Sequence, residues 1–177
     1  AVDTARYLGL NALQVRVGQD LSELDKAAEQ IRRAAAAGLK VIVQLSTCLG
    51  RRQRICLSDR HYWREVERYI ASAVSKLQSL PVYAWQTDDF LELAIRYDDS
   101  DFRSFLQARY GDLAALCRAW GARVGAWADV TQKGALAVDD DQPYGVGQPS
   151  IDVADFRRWV FGEVMARWAE MIRRADK

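Results

Sequence analysis

One histidine, three cysteines, three prolines and no surplus of either charge set this 177-residue sequence apart by scarcity. The lone His61 excludes any mechanism that needs two imidazoles and leaves a zinc site short of its usual ligands. Cys48, Cys56 and Cys117 are odd in number and lack a C-x-x-C spacing, so neither a disulfide framework nor a cysteine metal site is expected. No Gly-x-Ser-x-Gly elbow backs a Ser-His nucleophile, and no Gly-rich phosphate loop or nucleotide fingerprint implies a cofactor. Lys plus Arg number 25 against 24 Asp plus Glu. That balance provides no general attraction for nucleic acid or for an anionic membrane. No uncharged run approaches the ~20 apolar residues of a membrane span. Ala1-Val2-Asp3-Thr4 has neither a basic start before an apolar stretch nor an initiating Met. The expectation is a soluble chain with no targeting segment in view, an internal piece of a longer protein or a processed product.

What is present is globular: 50% hydrophobic and 28% charged, with a length that suits one domain with a sizeable core or two small ones. Three strand-like runs, Leu10 to Val17, Leu39 to Ser46 and Val82 to Thr87, alternate with amphipathic stretches. Between the first two, Leu21, Leu24, Ala28, Ile31 and Ala35 recur at helical spacing, and Gly38 supplies the stop. Between the second and third, Tyr62, Val66, Tyr69, Ile70, Ala73 and Leu77 form another stripe, with Ser58 or Asp59 as its cap. This alternation predicts parallel β-α-β units. Beyond Thr87, the residues Phe102, Phe105, Leu106 and Tyr110 read as a helix closed by Gly111. Asp112 caps a shorter helix through Leu113, Leu116 and Trp120 to Gly121. Residues 131–150, with Asp139-Asp140-Asp141, Pro143, Gly145, Gly147 and Pro149, read as a loop. A last helix is predicted from about Asp152 to Ala175.

Alternation within the strands carries the most physics. Leu13, Val15 and Val17 face one way, Gln14 and Arg16 the other. Val41, Val43 and Leu45 oppose Ile42, Gln44 and Ser46, and Gln86 and Asp88 oppose Trp85 and Thr87. A parallel sheet covered on both faces is apolar on both. Here one face turns polar toward the strand C-termini, as the inner face of a barrel does at its active-site end. The expected fold class is α/β, a partial (β/α)8 TIM barrel with parallel strands and β-α-β units, with residues 1–177 as one domain.

Val82-Tyr83-Ala84-Trp85-Gln86-Thr87-Asp88-Asp89-Phe90 resembles the strand four segment of glycoside hydrolase family 42, the β-galactosidases, where an apolar run leads into Gly-Trp-Gln-x-Asp-Asn-Glu. Downstream, Phe102-Arg103-x-Phe105-Leu106-x-x-Arg109-Tyr110-Gly111, continuing to Trp120-Gly121, is similar to the family's Phe-Arg-x-Trp-Leu-x-x-Arg-Tyr-Gly and its later Trp-Gly. Leu8-Gly9-Leu10-Asn11 resembles the lead into strand two, and Ala37-Gly38-Leu39-Lys40-Val41 the lead into strand three. Asp155-Phe156-Arg157, after Pro149, fits the helix that follows the family's long strand four loop. The resemblance spans nearly the whole chain; its distinctive part runs from Trp85 to Gly121.

The resemblance implies strands two to four of an eight-stranded barrel and a carbohydrate partner, a β-galactoside or related glycoside. It also implies hydrolysis of an O-glycosidic bond by a retaining, two-carboxylate mechanism. The family's acid/base Glu ends strand four and its nucleophilic Glu ends strand seven, which these residues do not reach. The isolated chain is therefore expected to be inactive. Where Asn-Glu is expected, the chain reads Asp89-Phe90. Ungapped, Asp88 matches the family Asp, Asp89 replaces Asn and Phe90 replaces the acid; with one residue missing, Asp89 takes the acid's place, and Glu92 is a third candidate. Retaining hydrolysis needs two carboxyl groups about 5–5.5 Å apart. Asp for Glu misplaces the acid by roughly 1 Å, an error that costs ~100-fold, and Phe removes proton donation altogether.

Candidate catalytic residues are thus Asp88 and Asp89, against the plainer reading of Asp in a strand-to-loop turn. Candidate substrate-binding residues are Gln14, Arg16, Gln44 and Gln86 on the polar face, with Trp120 and Trp127 beside the loop after the third strand. Ungapped, Gln14 rather than Arg16 stands where the family often has Arg. Trp63, Trp159 and Trp168 sit in helical patterns and read as packing, and Trp85 faces the helices. Arg51-Arg52-Gln53-Arg54 reads as a solvated loop, and Asp139-Asp140-Asp141 lacks the spaced ligands of a calcium loop. The family's zinc-binding members carry cysteines just after strand four, where this chain has Tyr97-Asp98-Asp99, so no metal is carried over. Two other readings stand beside the hydrolase. One is a non-catalytic carbohydrate-binding or assembly module with a degenerate acid site, favoured by Phe90. The other is an unrelated barrel enzyme that shares only the fold pattern. Open strand edges need cover, from the rest of a barrel or from homo-oligomerisation.

Overall fold

The computed structural model describes residues 2–48, 55–87, 94–139 and 147–176. Asp88, Asp89, Phe90, Glu92, the Arg51 to Arg54 cluster, Asp140 and Asp141 lie outside the described residues, as does the side chain of Asp139. The elements are α1 (Val2–Tyr7), β1 (Ala12–Val17), a 3-10 turn (Leu21–Glu23), α2 (Leu24–Ala36), β2 (Lys40–Leu45), α3 (Arg60–Leu77) and β3 (Val82–Gln86). Then follow α4 (Asp99–Tyr110), α5 (Leu113–Trp120), a second 3-10 turn (Trp127–Asp129), α6 (Gln132–Asp139) and α7 (Gln148–Ala175). The described residues gather into two compact units. One takes residues 1–55, 59–94 and 165–177; the other takes 56–58 and 95–164.

The first unit is mixed α/β, with three described strands in the order β1-β2-β3, all parallel. A helix crosses between each successive pair, as the strand-helix alternation predicts. Helix α2 stops at Gly38, whose φ of +78° lets Leu39 N–H bond back to the Ala34 carbonyl at 3.0 Å. Asp59, not Ser58, caps α3: its carboxylate accepts from His61 N–H at 2.9 Å and Tyr62 N–H at 3.1 Å. Helix α1 carries too few residues to show a helical period, and no sequence signal anticipates it.

Register decides which side chains share a face. In β1 and β2, Val15 lies beside Val43 and Arg16 beside Gln44. Between β2 and β3 the pairing slips: Val82 lies beside Val41, but Ala84 lies beside Ile42. The extra residue is Tyr83, 63% exposed. This bulge reverses the phase of β3. Trp85 therefore joins Val43 on the covered face, and Gln86 joins Gln44 on the polar one. The covered face of Val15, Val17, Val41, Val43 and Leu45 forms a buried core with Ile31 and Ala34 of α2 and Val66, Ile70 and Leu77 of α3. Full burial of Ile31 or Leu45 contributes about 1.5–3 kcal/mol.

Helix α3 also ties down the strand ends. The Tyr69 hydroxyl donates to the Val17 carbonyl at 2.8 Å and accepts from Ser46 N–H at 3.0 Å. Ser46 N–H reaches the same carbonyl at 3.2 Å, so the last rung of the β1-β2 ladder is a shared, three-way contact. About two turns earlier, the Tyr62 hydroxyl donates to the Thr47 carbonyl at 3.2 Å. These are the backbone groups left over where a parallel ladder stops.

In the second unit, α4 ends at Gly111 and Asp112 caps α5 by accepting from Ala115 N–H at 2.7 Å. The expected loop over residues 131–150 needs correction: α6 occupies Gln132–Asp139, and α7 begins at Gln148 rather than near Asp152. Thr131 is the missed signal. Its hydroxyl accepts from Gly134 N–H at 2.9 Å and its carbonyl from Ala135 N–H at 2.9 Å, an N-cap that offsets the low helix propensity of Gly134. Pro149 sits in the first turn of α7, where a missing N–H costs no helical bond. Among the described residues no helix is long and apolar enough to cross a membrane.

Replacing Tyr69 with Phe keeps the packed ring and removes the shared hydroxyl. We expect a loss of about 1 kcal/mol, read as a lower urea midpoint with unchanged far-ultraviolet circular dichroism and faster exchange of the Ser46 amide.

Candidate functional site

The polar face of the sheet brings four predicted residues together. Arg16, Gln44 and Gln86 lie side by side in register across the strands, and Gln14 lies two residues earlier, beside Ile42. The Gln14 amide donates to Gln86 Oε1 at 2.9 Å. Strands β1 and β3 flank β2 and lie ~9–10 Å apart, so both amides lean inward over the middle strand. Arg16 Nε–H donates to Ser46 Oγ at 3.4 Å. Beyond the strand ends, Gln19 donates to the Cys48 carbonyl at 2.5 Å.

Burial across this face is graded. Gln44 is 4% exposed, and Ser46 and Thr47 are also buried, while Gln14 and Arg16 are open to solvent and Gln86 is half-buried. The middle strand therefore supplies a buried polar floor, and the outer strands supply reachable amide and guanidinium groups. Amides both donate and accept, and a guanidinium donates in a fixed fork. That mixture suits a ligand with many hydroxyls. Asp88 and Asp89 follow Gln86 and Thr87 directly in sequence, outside the described residues. Among the described residues no group of three His, Cys, Asp or Glu is arranged to hold a metal ion. All three cysteines are free thiols; Cys56 lies 3.1 Å from Ser58 Oγ and donates to Asp98 at 3.4 Å.

The tryptophans sort differently from the expectation. Trp120, a predicted sugar contact, is 7% exposed and donates its indole N–H to Asp152 Oδ2 at 2.7 Å. It continues the buried side of α5 marked by Leu116, and so enclosed a ring has no face for a sugar. Trp120 is a packing residue. Trp127, in the second 3-10 turn, is half-buried and keeps a reachable edge. Trp159, read as packing, is 39% exposed, with its ring centre 5.7 Å from that of Phe105 and 6.1 Å from that of Phe156. Trp63 and Trp168 are buried. Trp85 shares the covered face of the sheet and donates to Asp176 at 2.9 Å.

Asp152, fully buried, is the centre of the second unit. Besides Trp120, it accepts from the Tyr110 hydroxyl at 2.8 Å and from the Gln148 amide at 2.9 Å. Arg109 lies 3.5 Å away and donates to Asp155 at 2.8 Å. Burial first, and then the bond to Asp152, pushes the Tyr110 phenol from its ordinary 10.0 up to about 12. The Arg109 guanidinium holds the Asp155 carboxyl below its ordinary value. Arg109, Tyr110 and Trp120 all lie in stretches that carry the family resemblance, and here they meet at one acid.

The sequence model of the β-galactosidase family, glycoside hydrolase family 42, matches residues 44–173. The chain belongs to that family. No curated protein and no solved structure matches it. Membership makes this family 42 chain glycoside hydrolase-like, with a carbohydrate as the substrate class the family implies. The match takes in Gln44, Gln86, Asp88, Asp89, Trp120 and Trp127; Gln14 and Arg16 precede it. The motif from Arg109 to Trp120, so distinctive as sequence, assembles the buried network around Asp152. Sequence reading missed Asp152 because a single acid inside a helical pattern looks solvent-facing. It missed the roles of Tyr62 and Tyr69 because tyrosines in an apolar stripe look like packing alone.

A folded-state phenol that holds its proton more tightly than the unfolded chain adds stability in full below pH 10, lost as pH rises through about 12. The stability advantage of the natural chain over Tyr110→Phe should therefore narrow across that window, measured by thermal melts at stepped pH.

Proposed function

We propose that this chain is a three-strand portion of the (β/α)8 barrel of a retaining β-galactosidase-like hydrolase, one partial-barrel domain whose polar sheet face binds the sugar. The observation that supports this reading is the convergence of Gln14, Arg16, Gln44 and Gln86 on one face, immediately before Asp88 and Asp89. In this reading Gln14 and Gln86 exchange hydrogen bonds with sugar hydroxyls above the buried Gln44, and Arg16 orients a hydroxyl or a carboxylate. Asp88 or Asp89 protonates the glycosidic oxygen as the bond to the anomeric carbon breaks. A carboxylate from strand seven, absent from these residues, forms the new bond to that carbon; water then releases the sugar, with the first acid acting as base. The open edges of β1 and β3 pair with neighbouring barrel strands, or a second copy covers them.

One residue favours a second reading, a carbohydrate-binding module without turnover. Phe90, ungapped, stands where the family's proton donor belongs.

Both readings predict that the chain alone leaves an activated aryl β-galactoside intact; turnover abolished by Asp89→Asn would contradict that. Both also predict that lactose shifts the side-chain amide signals of Gln14 and Gln86, and that Gln86→Ala weakens binding about five- to tenfold, the loss of roughly one hydrogen bond. The longer protein carrying strand seven separates them: hydrolysis supports the enzyme, and binding without hydrolysis supports the module.

A further inference from the structure

Helix α4 turns Ser104, Phe105, Ala108 and Arg109 to one side, and Trp159 of α7 completes a depression of about 570 Å³. All five residues belong to the second unit. The volume lies within the ~300–1,000 Å³ of small-molecule sites. Its aromatic wall is ordered: the Trp159 and Phe105 rings are tilted by 35°, and Phe156, fully buried, lies against both. Trp159 is among the most exposed aromatic residues of this unit.

Arg109 supplies the polar side. One terminal nitrogen is held by Asp155 at 2.8 Å and lies 3.5 Å from Asp152, which fixes the guanidinium plane. Among the described residues, Nε–H and the other terminal nitrogen have no hydrogen-bond partner. Ser104 Oγ donates to the Ser100 carbonyl at 3.1 Å and keeps its lone pairs for accepting. The lining thus joins two aromatic rings to fixed donors whose charge two carboxylates already balance.

That combination selects among ligands. A purely apolar ligand would cover guanidinium N–H groups without pairing them, which is unfavourable. An anion would meet a cation already neutralised. A neutral ring with one C–H face and hydroxyls at its edge satisfies both parts. Galactose has such a face, because its axial O4 leaves the hydrogens of C3, C4 and C5 on the opposite side. The geometry points to a carbohydrate contact site formed by Phe105, Arg109 and Trp159, taking a neutral pyranose such as a terminal β-galactoside. This rests on the carbohydrate reading above and goes beyond it by assigning a contact that no residue of the sheet makes.

Lactose titration of the isotope-labelled full chain tests it, with glucitol as an open-chain polyol that has no ring face. Saturable shifts at the Trp159 indole N–H and the Arg109 Nε–H with lactose, and none with glucitol, are expected. Trp159→Ala should lower that affinity at least tenfold. Ser104→Trp, at an exposed position on the lining, should do the same by filling the depression. Lactose shifts confined to Gln14 and Gln86 overturn this site and leave the hydrolase reading intact; shifts confined to Trp159 and Arg109 do the reverse. Equal shifts with glucitol overturn the site. So does a natural chain that dimerises through the patch, becomes monomeric on Trp159→Ala and shows no lactose response there.

Discussion

A glutamine buried in the middle of a parallel sheet constrains everything beside it. Gln44 has almost no contact with water, and a buried amide is unfavourable unless hydrogen-bonded. Its lateral neighbours in register are Arg16 and Gln86, both polar, and Ser46 two residues on is polar as well. The opposite face of the same strand, Val41, Val43 and Leu45, is wholly apolar and buried. The strand thus buries apolar side chains on one face and Gln44 and Ser46 on the other. The requirement propagates to β3, where the bulge at Tyr83 is what brings Gln86 rather than Trp85 onto the polar side.

The second unit obeys a parallel constraint with a different answer. Asp152 is a buried acid, and four side chains from α4, α5 and α7 converge on it or on its neighbour Asp155. Networks of this kind specify one arrangement of helices, since removing any member leaves others buried and unpaired. The most recognisable stretch of the sequence is therefore an architectural motif. The family stretch thus has two parts: Arg109 to Trp120 supply the network around Asp152, while Gln86 at its start lies on the polar sheet face, whose other members come from two distant segments.

Much of the fold was legible. Strand alternation, the stop at Gly38 and the caps at Asp59 and Asp112 are local effects, and each acts in the structure as its chemistry suggests. The shared faces of Gln14 with Arg16 and of Gln44 with Ser46 were also legible, because side chains alternate along a strand; that Gln86 joins them depends on the bulge at Tyr83. The helix inside 131–150 was not, since a cap at Thr131 competes there with glycine, proline and acidic residues that signal a loop. Trp120 and Trp159 differ from their expected exposure for a related reason: spacing places both on helices, and only packing decides that the Trp120 ring is enclosed and the Trp159 ring partly open.

The amino-acid sequence by itself determined the parallel strand-helix alternation, the polar and apolar sides of each strand and the family, because each depends on spacing along the chain. Only the tertiary structure decided that Gln14 meets Gln86 across an intervening strand, that Tyr69 closes the last rung between β1 and β2, and that Asp152 collects the family motif. Those contacts join residues 72, 52 and 42 positions apart. Nothing in local spacing encodes them; they follow from register, burial and the need of every buried polar group for a partner.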